Sequence, residues 1–154
     1  MNSLLLRQSS RLLQMGIVLI LYSSVEGFVI PYFDSPRVGL SAHTLGALEG
    51  VLLLALGLLW PKLSLGAIMS RVAFWCLLYS ALAILAAYTI AAAWGVGNET
   101  IVLAGELPHG LHHGNVFQET LIKILSYSSA PTGLAAFAFV LWGLRMADSP
   151  STHD

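Results

Sequence analysis

Charge is what this sequence has least of. Only 10% of its 154 residues are Asp, Glu, Lys or Arg, against about a quarter in ordinary soluble domains. Hydrophobic residues make up 56% and the mean hydropathy is +0.77. Together these exclude a water-soluble globular domain and point to an integral membrane protein. The net charge of −1 leaves no electrostatic footprint for nucleic acid. A single cysteine, Cys76, rules out an intrachain disulfide, and its place inside an apolar run reads as packing. Long polar stretches are missing too, so there is no room for a separate soluble domain.

What is present is a set of apolar runs, at residues 12–33, 41–60, 72–94 and 117–144. About 20 helical residues at 1.5 Å each cross the hydrocarbon core, so each run is long enough to span. The predicted architecture is all-α: one transmembrane domain over residues 1–154, folded as a four-helix bundle. The first run is too long for a signal-peptide core, and no clear small-x-small cleavage site follows it. It is therefore read as a retained span. Pro31, Asp34 and Pro36 separate it from the second run, which ends on Trp60-Pro61, an expected interfacial aromatic beside a helix stop. Pro131 and Gly133 predict a bend in the fourth span.

Basic residues give the orientation. Arg7, Arg11, Lys62, Arg71 and Arg145 fall on one side of the spans, and the connections on the other side hold only Arg37. The positive-inside rule then predicts both termini in the cytoplasm, the connection 95–116 outside, and a multi-pass protein of the plasma membrane.

The second run carries the clearest functional signal: S-A-H-T-L-G-A-L-E-G from Ser41 to Gly50. Ionisable groups inside a membrane helix are costly, so His43 and Glu49 are each functional candidates. Gly46, Ala47 and Gly50 follow His43 at i+3, i+4 and i+7, on the same helix face. That face is either a bare shelf beneath the imidazole, where something broad and flat could lie, or an ordinary close-packing seam. Glu49, at i+6, is about 120° round the helix from His43.

Counting along the spans places Glu26, Glu49, Tyr88, Lys123 and Tyr127 at similar depth in the outer half. The bland reading satisfies each separately: Glu119 and Lys123, at i and i+4, can pair, and tyrosines anchor at interfaces. Glu26 and Glu49 are harder to dismiss. Two carboxyls at equal depth need a partner, a proton or water, and either suits a general acid. His109, His112 and His113 sit in a glycine-bearing connection without the flanking ligands of a zinc site, and read as solvent-facing.

The motifs taken in order resemble the hydroxylaminobenzene mutase family, small four-span proteins related to the styrene oxide isomerases. They include R-L-L-Q-M-G (Arg11 to Gly16), G-F-V-x-P (Gly27 to Pro31), P-R-V-G-L-S-x-H (Pro36 to His43) and G-L-L-W-P (Gly57 to Pro61). They continue with A-A-x-W-G (Ala91 to Gly95), Q-E-x-L-I (Gln118 to Ile122) and L-W-G-L-R (Leu141 to Arg145). The resemblance implies haem b held by the histidine that opens span two, here His43, and a homotrimer. Gly46, Ala47 and Gly50 would then accommodate the porphyrin. It points to rearrangement of an aryl hydroxylamine to an aminophenol, with haem iron as Lewis acid, and our own reading of the polar residues then makes Glu49 or Glu26 the group that relays the proton and Tyr88 the one that orients the substrate. The chain departs from the pattern in having Glu49 where an asparagine is expected. Epoxide isomerisation by the same acid logic is the sister reading. A membrane electron-transfer protein is the rival, and it would usually want a second axial ligand. A non-catalytic membrane scaffold would lack the cofactor altogether.

Overall fold

A computed structural model describes residues 2–97, 100–101 and 114–147. Four helices account for nearly all of them: α1 (Asn2–Val29), α2 (Pro36–Leu59), α3 (Ala67–Trp94) and α4 (Val116–Ala147). All four are long and apolar enough to cross a membrane, so the expected all-α, four-helix membrane architecture holds. The helices run past the apolar segments that predict them. α1 begins ten residues before residue 12, because Arg7 and Arg11 remain helical beyond the apolar run. α2 begins at Pro36, where proline's fixed φ and missing N–H suit the first helical position.

Two antiparallel hairpins make the fold. α1 packs along α2 and α3 along α4, α2 joins the hairpins through α3, and α1 touches α3 more lightly. In the α1–α2 seam the backbones nearly touch. A Cβ on Gly16 would lie 2.8 Å from the carbonyl oxygen of Gly50, and one on Gly50 would lie 2.9 Å from that of Gly16. Small residues permit this approach where lipid gives helices no hydrophobic drive to associate. Alanine for glycine in an open helix is stabilising, yet Gly50→Ala is expected to destabilise by about 1–3 kcal/mol, because backbone cannot yield to the added methyl. Thermal unfolding in detergent measures this, and an unchanged midpoint would show that the seam is looser than described.

The basic end is pinned by a buried amide. Gln8 Oε1 accepts from Trp60 Nε1 (3.0 Å) and from Ser70 Oγ (2.5 Å), while Gln8 Nε2 donates to the Ser70 carbonyl (3.3 Å). Trp60 is therefore fully buried, not the interfacial anchor its position suggested. Its indole N–H has found a protein partner in place of the headgroup region.

At the opposite end α3 stops at Gly95, whose φ of 62° is left-handed, and Val96 N–H closes onto the Ala91 carbonyl (3.2 Å). α4 starts with a capping box: Gln118 N–H donates to Asn115 Oδ1 and Asn115 N–H to Gln118 Oε1, both 2.9 Å. Pro131 lies within α4 without ending it. Hydroxyls re-satisfy nearby carbonyls, with Thr132 Oγ1 donating to Ser128 and Ser129 and Ser129 Oγ donating to Ser126.

Four crossings leave both ends of the helical region on one face of the membrane. Labelling of Asn115→Cys and Ser64→Cys, in a background lacking Cys76, reads which face. Reaction of Asn115→Cys with an impermeant reagent only from outside is expected, and labelling only from the cytoplasm would reverse the orientation.

Candidate functional site

The site grows from one contact between α1 and α2. His43 Nδ1 lies 2.7 Å from the Ser23 carbonyl oxygen. A carbonyl only accepts, so this nitrogen carries the proton and the ring's lone pair sits on Nε2. Ser23 Oγ clasps the same residue, donating to the His43 carbonyl (2.6 Å) and lying 3.2 Å from Nδ1. One turn on, Gly27 leaves room for the ring. A Cβ there would stand 3.2 Å from His43 Cε1. The imidazole is thus fixed in tautomer and orientation by backbone and held half-buried. An Nδ1–H to carbonyl bond is the usual way a metal-ligating histidine is held in orientation.

Glu26 shares this side of α1. Its side chain is buried, and Oε1 accepts from Tyr22 OH and from Thr89 Oγ1, both at 3.1 Å. Tyr22 OH and Thr89 Oγ1 are themselves 2.9 Å apart, which closes a triangle across α1 and α3. Glu26 Oε2 is buried without a hydrogen-bond partner among the described residues. Glu26 lies three residues on from Ser23, which clasps His43 of α2, and is bonded to Thr89 of α3, so α1 links the carboxyl to both helices. Tyr22 and Thr89 line an apolar cleft of about 430 Å³ between α1 and α3, walled by Met15, Leu19, Leu82 and Leu85. That volume exceeds the roughly 150 Å³ known to hold a benzene ring.

Several expected site residues fall elsewhere. Gly46 and Gly50 are not a bare shelf. A Cβ at Gly46 would touch Leu85 and Ser23 at 3.4 Å, and one at Gly50 would strike Ile20 and the Gly16 backbone. Within the chain these glycines lie in a packing seam, α1 meeting Gly50 and both Ser23 of α1 and Leu85 of α3 meeting Gly46. Ala47 is half-buried beside them. Glu49 is half-buried and makes no hydrogen bond or ion pair with the described residues. Tyr88 lines a different cleft, of about 270 Å³, with Ser41, Thr44 and Ile84. The residue next to it, Thr89, is the one that reaches Glu26.

Equal depth therefore did not mean convergence. Lys123 and Tyr127 are exposed on α4, which packs chiefly on α3. Glu119 does not pair with Lys123. It is buried, and Oε1 accepts backbone N–H groups from Gly97 (3.1 Å) and Gly114 (3.0 Å), tying the ends of the α3–α4 connection to α4. His109, His112 and His113 lie outside the described residues. No cluster of three His, Cys, Asp or Glu side chains capable of holding a metal occurs among the described residues, so His43 offers a single imidazole.

The residues missed from sequence are Ser23, Tyr22 and Thr89. A usable signal existed: Ser23 to Gly27 and Tyr22 to Glu26 are both i, i+4, so α1 presents them on neighbouring stripes.

As a donor, His43 suits haem iron: one imidazole with Nδ1 engaged and Nε2 carrying the free lone pair. The expected glycine cradle is already filled within the chain, so the fit rests on the ligand alone.

Comparison with known proteins follows the same line. A family model described as styrene oxide isomerase matches residues 8–145. Hydroxylaminobenzene mutase HabB of Ectopseudomonas oleovorans is 42% identical over 144 residues, covering 94% of this chain and 85% of that protein. Hydroxylaminobenzene mutase HabA of the same organism is 33% identical over 129 residues, covering 84% of this chain and 93% of that protein. No solved structure matches.

Proposed function

Because the chain belongs to the styrene oxide isomerase family, we infer that it is a membrane isomerase of the hydroxylaminobenzene mutase type. It converts an aryl hydroxylamine to an aminophenol by intramolecular hydroxyl transfer. The reaction is redox-neutral. The N–O bond breaks, a C–O bond forms at the ring, and the proton lost from that carbon is matched by one gained at nitrogen.

The observation that carries the site assignment is the clasp on His43, with a hydrogen-bonded carboxyl beside it. His43 Nε2 would hold haem b, and haem iron bound there would supply a Lewis acid that weakens the N–O bond. The chain's own groups do the rest. Glu26 holds a proton at its carboxyl, and the bonds from Tyr22 and Thr89 to Oε1 fix that group's orientation. Tyr22 and Thr89 connect it to the α1–α3 cleft, since Glu26 itself is closed off. The apolar walls hold the ring and keep water from the electron-poor intermediate.

A homotrimer in the plasma membrane completes this reading. Support comes from Glu49, a half-buried carboxyl with no partner among the described residues, since a carboxyl inside a span needs a counter-group. A neighbouring copy is the natural source. The Tyr88 cleft, rich in hydroxyls from Ser41, Thr44 and Tyr88, is a second place for the aromatic ring once copies assemble.

Purified protein offered hydroxylaminobenzene and styrene oxide side by side tests the assignment. Turnover of the hydroxylamine to aminophenol is expected to dominate. Isomerisation of styrene oxide alone would give the chain the epoxide chemistry instead.

A further inference from the structure

At the basic end, Arg7 and Arg11 of α1 and Arg71 of α3 line one pocket of about 220 Å³ together with Gln8 and Trp75. None of the three arginines makes a hydrogen bond or ion pair with the described residues. No described carboxyl lines the pocket. Arg7 and Arg11 are i, i+4, a spacing at which like charges repel. The floor cannot serve as counter-ion either, because the Gln8 amide is committed to Trp60 and Ser70. Three guanidinium groups thus line one space in which no described acidic side chain neutralises them, and their planar forks suit phosphate oxygens.

Trp75 also lines a second, apolar groove of about 380 Å³, with Leu78, Leu82 and Ala86 of α3 and Leu125 of α4. From Trp75 to Ala86 is eleven residues, roughly 16 Å along the helix. That is about half of the ~30 Å hydrocarbon core, the depth of one leaflet. A phosphate-sized basic pocket therefore opens, across one tryptophan, onto a leaflet-deep apolar groove.

We propose that this composite site binds an anionic phospholipid, with its phosphate on Arg7, Arg11 and Arg71 and an acyl chain in the groove beyond Trp75. Basic pockets between transmembrane helices are where anionic headgroups are recognised. The groove is what distinguishes a lipid from a free phosphate ion, which would need only the arginines. The positive-inside assignment puts the site in the cytoplasmic leaflet, and the binding chemistry does not depend on the isomerase reading.

The test is native mass spectrometry of the full chain released from mixed micelles containing phosphatidylglycerol or phosphatidylcholine, with inorganic phosphate as a separate competitor. Wild type is expected to retain phosphatidylglycerol, shed phosphatidylcholine, and keep its lipid in the presence of phosphate. The double variant Arg7→Gln/Arg71→Gln should lose phosphatidylglycerol retention about tenfold, and Trp75→Ala should weaken it as well. All three side chains are exposed, so unchanged helicity by circular dichroism is the fold control, and Arg71→Lys, which keeps the charge but loses the fork, should fall between wild type and the double variant. Equal retention of both lipids, or equal retention by wild type and the arginine variants, would overturn the proposal. Displacement of the lipid by inorganic phosphate would overturn it too, leaving a simple anion site.

Discussion

His43→Ala is expected to lose bound haem and turnover together, with activity falling more than about a hundredfold. Loss of a group that merely orients a metal ligand already costs about 10–100-fold, and removing the ligand itself should exceed that. Among the described residues no group of three His, Cys, Asp or Glu side chains could hold a metal in its place. Haem content, read from the absorption spectrum, separates this from general damage, because a collapsed variant would also lose helicity. A haem-free, active His43→Ala protein would remove the cofactor from the account. Alanine at His109, His112 or His113 should change neither haem nor rate.

Glu26→Gln is the second large effect. Glutamine keeps the shape and can still accept from Tyr22 and Thr89 at its carbonyl oxygen, but it has no carboxylic proton to give. General acid–base groups typically contribute about 10²–10⁴-fold, and a loss in that range is expected with haem content unchanged. Glu49→Gln should cost less in kcat, because among the described residues Glu26 is bonded to Tyr22 and Thr89 while Glu49 has no such partners. Equal losses at both positions would show that assembly brings Glu49 to the reacting centre. Wild-type turnover in Glu26→Gln would dismiss it as a proton donor. Tyr22→Phe serves as a milder probe, since it removes one of the two bonds that orient the carboxyl.

The number and order of the helices were legible from the sequence because twenty apolar residues admit little else in lipid. His43 and Glu26 were legible for a related reason: charge-bearing groups stand out where charge is costly. The glycines of α2 were only half legible. Gly46 and Gly50 announce a bare helix face, but a sequence does not say whether a helix or a ligand fills it, and here α1 does. Depth could be counted, yet the direction each residue takes round the bundle could not, so Lys123 and Tyr127 share a depth with Glu26 but stand exposed on α4. Hydroxyls carry the weakest signal of all. Ser24, Ser41 and Thr44 merely return their protons to carbonyls one turn back in their own helices, while Ser23 and Thr89, identical in type, join helices at the site. Nothing local separates the two behaviours. Trp60 misled in the same way, since only the placement of Gln8 across the bundle makes its burial possible.

In an intramolecular hydroxyl transfer the oxygen stays within one molecule. Turnover of hydroxylaminobenzene by the purified wild-type protein in ¹⁸O-enriched water, followed by mass analysis of the aminophenol, measures it. An intramolecular transfer in the apolar α1–α3 cleft predicts product carrying the unlabelled oxygen of the substrate. Aminophenol labelled to the enrichment of the water would mean that solvent attacks the ring, and would contradict the mechanism.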